Sequence, residues 1–210
     1  MKFVFSAARK TCSTGRKACA HAFRFTGFVF FIVMYRWGLD FLLSTEEMIA
    51  IGASLRKHPG PCLVFGAGND SVFWVLVNRD HPTVFLESDA YWIKRIGRKT
   101  KFLDIFPVSY TTRLSEIREP ELQNCAPPLL ELPQTVRERK WATILVDAPQ
   151  GWGDGPGRLQ SIYEASLLVA ERGRIFVHDC DRAGEEYLVG RYLGHFRCHK
   201  IGSRLWLFEK

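Results

Sequence analysis

Five polar features of this 210-residue chain stand at the ends of short apolar runs, where side chains are free to meet a ligand. Phe65-Gly66-Ala67-Gly68-Asn69 closes the run from Cys62, and Glu87 closes Thr83–Leu86. Tyr110-Thr111-Thr112 follows a run from Ile105, Asp147 closes Trp141–Val146, and Asp179-Cys180-Asp181 follows Arg174–His178. A Gly-x-Gly turn lets backbone approach a ligand closely. A carboxylate about 20 residues further on is where a nucleotide-binding α/β unit grips ribose hydroxyls. Asp147, Asp179 and Asp181 could take a proton from a hydroxyl, or hold a divalent cation such as Mg, Mn or Co that lowers the hydroxyl's pKa. Each feature has a plainer alternative: the glycines could serve only the turn, and Glu87, Asp89 or Asp179 could cap a helix.

The type of turn narrows the ligand. A dinucleotide would meet G-x-G-x-x-G, and position 71 is Ser where the third glycine would fall. A P-loop needs Gly-Lys-Ser/Thr, and none follows. The remaining common ligand for strand, Gly-x-Gly, strand and acid is S-adenosylmethionine. Its methionine portion would sit on the turn formed by Phe65, Gly66, Gly68 and Asn69. Its ribose hydroxyls would meet Glu87, its adenine would lie near Tyr110, and Asp147 would border it. Methyl transfer is an in-line displacement, so the protein has to align an acceptor oxygen and help remove its proton.

The elements that must position these groups alternate between strand and helix. Ser44-Thr45-Glu46-Glu47 is a capping box that opens an amphipathic helix, and Pro59-Gly60 stops it. Strands are expected at Leu63–Phe65, Thr83–Leu86, Ile105–Tyr110, Trp141–Asp147 and Arg174–His178. Helices are expected at Asp70–Val77, Asp89–Ile96, Arg158–Ala170 and Glu185–Leu193. The pattern predicts an α/β fold with a parallel, doubly wound sheet ordered 3-2-1-4-5. Pro107 suits the edge position of the third strand. A C-terminal β-hairpin about Gly202-Ser203 is expected to close the far edge. The segment Glu116–Arg139, with Pro120, Pro127, Pro128 and Pro133, reads as an insertion or long loop.

Composition argues against nucleic acid as a partner. The net charge is +7, but residues 1–36 carry seven basic side chains and no acid. Removing those seven from 29 leaves 22 basic against 22 acidic residues, so the remainder is formally neutral. The six cysteines are scattered and show no zinc spacing; Cys62, opening an apolar strand, reads as a buried thiol. The basic leader, residues 1–43, contains an eleven-residue, mainly apolar run, Phe25–Tyr35. That is short for a bilayer span of about 20, unless Arg36 and Asp40 are tolerated within a stretch from 25 to 43. Three readings stay open: a signal anchor with its basic end in the cytoplasm, an Arg-rich organelle transit peptide, and a soluble helix capping the domain of residues 44–210.

Several blocks are specific enough to carry a resemblance. Leu63–Trp74, Thr83–Trp92, Val146–Gly151, Gly155-Pro156-Gly157-Arg158, Val177–Arg182 and Arg204–Phe208 resemble, in order, blocks of a plant polysaccharide-biosynthesis family. That family includes glucuronoxylan 4-O-methyltransferase, the arabinogalactan methyltransferases and the irregular-xylem proteins. The resemblance covers about Ser44 to Lys210. It implies a class I methyltransferase fold, S-adenosylmethionine, a glycan uronic-acid hydroxyl as acceptor, a divalent cation in at least some members, and a Golgi type II membrane orientation with the catalytic domain in the lumen. Asp147, Asp179 and Gln150 are the catalytic candidates. Asp147, Asp179 and Asp181 are the candidate cation ligands, and Arg113 and Arg158 the candidates for pairing a uronate carboxylate. The plainer alternative for Arg158 is that it begins a helix or pairs with Asp154. Three positions depart from the family pattern. Gln150 stands where Lys or Arg is usual, and it can orient a hydroxyl but not deprotonate it. Asp181 replaces an amide, and Asn69 a His. A non-catalytic member that supports glycan synthesis through partners would explain Gln150. A small-molecule O-methyltransferase would need an apolar pocket in place of the two arginines.

Overall fold

The structure, a computed structural model, describes residues 42–100, 102–115 and 126–210. The chain divides into two units, Met1–Thr45 and Glu46–Lys210, and the sheet belongs to the second. In chain order the elements are α1 (Thr45–Lys57), β1 (Cys62–Phe65), α2 (Ser71–Val77), β2 (Thr83–Glu87), α3 (Ala90–Lys99), β3 (Asp104–Pro107), α4 (Gln134–Arg137), β4 (Trp141–Val146), α5 (Leu159–Leu168), β5 (Val169–Val177), α6 (Ala183–Leu193), β6 (Arg197–Ile201) and β7 (Leu205–Glu209).

One seven-stranded sheet runs β3-β2-β1-β4-β5-β7-β6. β1 to β5 pair in parallel, while β7 pairs antiparallel with both β5 and β6. Every residue of β1 and β2 is buried, as expected for central parallel strands covered on both faces. Trp141, Ile144 and Val146 of β4 meet Leu159, Ile162 and Ala165 of α5 in the main core. Along α1, Met48, Ile51 and Leu55 recur at helical spacing and are all buried.

The sheet order agrees with the expected 3-2-1-4-5, the hairpin closes the far edge, and Pro107 lies on the exposed edge strand. Two strands differ from expectation. β3 ends at Pro107, because proline brings no N–H to the ladder; Val108 donates once more to Glu87 O (3.0 Å) before the chain turns away. β5 begins at Val169, directly after α5, and its register against β4 shifts between Trp141 and Thr143. Arg172, at φ 60°, sits within that irregularity.

The expected long loop lies partly outside the described residues, which omit 116–125. Its described part includes α4 and is tied to α5 through buried Glu164. That carboxylate accepts from the Leu130 N–H (2.8 Å) and from both terminal nitrogens of Arg137. Cys62 is a buried free thiol, as expected. The candidate anchor near residues 25–43 lies outside the described residues up to Phe41. Among the described residues no helix is long and apolar enough to cross a membrane.

Candidate functional site

The glycine turn and Glu87 are joined directly. Ala67 N–H donates to Glu87 Oε2 (2.7 Å), while the N–H groups of Ser88 and Asp89 both donate to Oε1 (2.7 Å each). Gly68 N–H donates to Ser71 Oγ (3.0 Å). These two turn N–H groups are therefore not bare, as the sequence suggested, because an unpaired amide in so enclosed a turn would be costly. A carboxylate offers about four acceptor positions, so Glu87 keeps one beyond the three in use. Gly66 has φ +113°, and a Cβ there would lie 3.0 Å from that of Ala148. The positive φ demands glycine, and the space beside Ala148 is tight for a Cβ. Asp89, not Glu87, caps α3, accepting from Tyr91 N–H (2.8 Å).

The other candidates for the cofactor end lie around this turn. Phe65 is wholly buried, and its carbonyl accepts from Asp147 N–H (3.0 Å), which fixes the end of β4 against the end of β1. Asn69 is half-buried within the turn. Tyr110 follows β3, its phenol oxygen accepts from Ser161 Oγ (3.0 Å), and burial pushes its pKa up. Asp70 accepts from Trp74 Nε1 (2.8 Å). Burial, with the charge of Asp147 adding to it, pushes the Asp70 carboxyl up to about 6.

Beside the turn, the ends of β4 and β5 carry a dense charge network. Asp147 Oδ1 accepts from His178 Nδ1 (2.9 Å) and Arg158 Nη2 (3.3 Å). The same Arg158 Nη2 lies 2.7 Å from Asp179 Oδ2, and the guanidinium also donates to the carbonyls of Asp147, Pro149 and His178. Asp179 is further paired with Arg182 (3.0 Å) and with Arg204. Its backbone is left-handed at φ +62°, a conformation that costs a non-glycine residue energy and is held here by three guanidinium groups. Burial works against the Asp179 anion, but Arg158, His178, Arg204 and Arg182 together hold its pKa below the usual value. Burial likewise opposes a charged His178; the hydrogen bond to Asp147 and the charges of Asp147, Asp179 and Glu47 outweigh it and raise the pKa. Glu47 Oε1 stands 3.5 Å from His178 Nε2.

This network corrects two expectations. Arg158 cannot reach out to a uronate, since it is only 2% exposed and its donors are spent on β4, β5 and the loop between Pro149 and α5. The partner of Asp154 is Arg113 instead (3.3 Å), and both are exposed. The expected cation triad is also not formed. Asp181 is exposed and lies outside the group; among the described residues, those able to offer three ligand atoms within 4.8 Å of one another are Asp147, His178 and Asp179. That group does not suit a divalent cation as it stands. Both Asp179 oxygens are already paired with guanidinium groups, and His178 Nδ1 is turned to Asp147, so a cation would enter among fixed positive charges. Gln150 is exposed and packs over Gly155, where an added Cβ would lie 2.8 Å from its Nε2. It makes no described bond to Asp147 or Asp179.

Sequence reasoning did not single out His178, Arg182, Arg204 or Glu47. The His178-Asp179 doublet at a strand end was the available signal for the first. Nothing in spacing joins Arg204 to Asp179. The antiparallel register that sets Val177 opposite Trp206 does so, and Cys180 N–H donates to Arg204 O (2.8 Å).

Among solved structures, the 16S rRNA N2 G1207 methyltransferase of Thermus thermophilus, in complex with AdoMet and guanosine, aligns with a TM-score of 0.52. The alignment has 14% identity over 82% of this chain and 44% of that one, and shows a shared class I methyltransferase fold. Glucuronoxylan 4-O-methyltransferase 1 of Arabidopsis thaliana is 34% identical over 77% of this chain and 66% of its own length. Arabinogalactan O-methyltransferase 2 of the same plant is 30% identical over 94% of this chain and 78% of its own. The chain thus spans just under two thirds of the first of these relatives. Residues 46–124 and 118–208 match the family described as IRX15/IRX15L/GXM. With the α/β sheet, the glycine turn bound to Glu87 and the acids at the ends of β4 and β5 all falling inside those residues, this chain belongs to the IRX15/IRX15L/GXM family.

Proposed function

We propose that this protein transfers a methyl group from S-adenosylmethionine to a hydroxyl of a polysaccharide, with the 4-hydroxyl of a glucuronic acid side chain as the favoured acceptor. One observation carries the reading: the Glu87 carboxylate is bonded to the Gly66–Gly68 turn, with an acceptor position to spare, beside the end of β4 that bears Asp147. The turn, Glu87 and Tyr110 fit the cofactor's methionine, ribose and adenine portions. When bound, the cofactor supplies an electrophilic methyl group on a sulfonium. The chain's own task is to align the acceptor oxygen and receive its proton. Asp147 is the base we assign. Its described side-chain contacts with His178 and Arg158 both run to Oδ1, which leaves Oδ2 to face the acceptor hydroxyl. Asp179, paired with three guanidinium groups and held below the usual carboxylate pKa, is a poor base and serves to hold Arg158 in place. The polysaccharide acceptor is supported by the alignments with glucuronoxylan and arabinogalactan methyltransferases.

A second reading, a non-catalytic member that supports glycan synthesis through partners, draws on Gln150, which stands away from the acids and over Gly155. Golgi membrane residence, with the enzyme facing the lumen, is the location we propose from the family resemblance, with the apolar stretch near residues 25–43 as the anchor. The test is to incubate the full chain with labelled methyl donor and a panel of glucuronoxylan, arabinogalactan and phenolic acceptors. Transfer to glucuronoxylan is expected. Transfer to phenols alone would replace the acceptor, and absence of both transfer and donor binding would favour the non-catalytic reading.

A further inference from the structure

The loop from Asp147 to Arg158 presents a large aromatic side chain to solvent. Trp152 is 56% exposed, although its loop is firmly tied down. Leu114 N–H donates to Gly155 O (2.8 Å), Thr112 Oγ1 to Pro156 O (3.3 Å) and Gly157 N–H to Gln150 O (3.2 Å). The Arg182 guanidinium lies 5.3 Å from the centre of the indole, so the ring is braced by a cation. Arg182 in turn pairs with Asp179, which shares Arg158 with Asp147. Gly151 makes this seating feasible, because a Cβ there would fall 2.9 Å from Arg182 Nη1 and 2.1 Å from Glu185 Oε1. Gly153, on the other side of the tryptophan, has φ +65°. At the loop tip the exposed Asp154 pairs with Arg113.

We propose that Trp152 is the platform on which the acceptor's pyranose ring lies, with Arg113 exchanging Asp154 for the sugar's carboxylate. The inference deepens the proposed function and rests on its glycan acceptor. A pyranose turns one apolar face of C–H groups outward, and the electron-rich face of an indole attracts those weakly positive hydrogens. The braced ring needs little ordering to receive them. Arg113 supplies the planar donor pair that suits a carboxylate, and the Asp154 contact at the solvent-exposed tip is weak enough to exchange. The chain Trp152, Arg182, Asp179, Arg158, Asp147 links the platform to the proposed base through one continuous set of contacts.

The probes are a xylo-oligosaccharide bearing one glucuronic acid side chain and the same backbone without it. In the full chain, Trp152→Ala should raise KM for the acidic oligosaccharide about tenfold or more with kcat within about threefold, while Trp152→Phe keeps most of the affinity. In direct binding, Arg113→Ala should reduce the preference for the acidic over the neutral probe. Donor affinity, by calorimetry, should be the same in all three variants. An unchanged KM in folded Trp152→Ala would overturn the platform. If the wild-type chain methylates no glycan, the enzymatic reading fails by itself, and direct binding decides this one. Quenching of tryptophan emission by the acidic probe that disappears in Trp152→Ala would sustain the platform, and equal binding by both proteins would end it.

Discussion

Arg158 Nη2 lies 2.7 Å from Asp179 Oδ2 and 3.3 Å from Asp147 Oδ1, so one buried guanidinium joins the ends of β4 and β5. Removing it takes a partner from two carboxylates, one of them nearly inaccessible, and a donor from the carbonyls of Asp147, Pro149 and His178. Arg158→Ala is expected to lower stability by about 3–5 kcal/mol in urea denaturation. Arg158→Lys should recover little of that, because a single ammonium cannot serve two carboxylates and three carbonyls at once. A loss under about 1 kcal/mol would show that the pairing is not what holds the strand ends together.

Asp70 makes stability depend on pH in a defined direction. Its folded pKa is about 6, above the ordinary 3.8, so the folded state holds this proton more tightly than the unfolded state. The group therefore costs nothing at low pH, and stability falls as pH rises between those two values. Asp70→Asn keeps an oxygen for Trp74 and removes the ionisation. It should be more stable than wild type by about 1–3 kcal/mol at pH 7, with the difference closing below about pH 4. Melts across that range check it; a difference independent of pH would show that ionisation is not the cause.

Glu87 accepts three backbone N–H groups, and an amide has one oxygen with which to replace two. Glu87→Gln should cost about 1–3 kcal/mol of stability and weaken the methyl donor at least about tenfold by calorimetry. Donor binding at wild-type strength would remove Glu87 from the cofactor site.

Asp147→Asn separates binding from chemistry. Turnover should fall at least about 100-fold while donor affinity stays within about threefold, as measured by labelled methyl transfer and calorimetry. Loss of donor binding would instead place Asp147 at the cofactor rather than at the acceptor.

The joining of the glycine turn to Glu87 was legible as spacing. Gly66, Gly68 and Glu87 are local to one strand-turn-helix-strand unit, where the chain direction leaves few ways to join them. The charge network at the ends of β4 and β5 was less so. Arg158 looked like a surface cation at the start of a helix, and Asp181 like a third cation ligand, because neither burial nor pairing is written in sequence distance. The loop carrying Trp152 holds four glycines, Gly151, Gly153, Gly155 and Gly157, yet its bracing by Arg182 depends on how the first turn of α6 meets Gly151.

By itself the sequence determined the α/β alternation, the strand order, the edge position of Pro107 and the place of the glycine turn, since these follow from periodicity, turn chemistry and chirality acting over short stretches. Only the tertiary structure decided that Asp179 is paired with Arg158, Arg182 and Arg204 and that His178 stands between Asp147 and Glu47. Those contacts unite residues from α1, from the ends of β4 and β5, and from the hairpin. Pairing of β7 with β5, and the shared cost of burying charge without a partner, set their geometry.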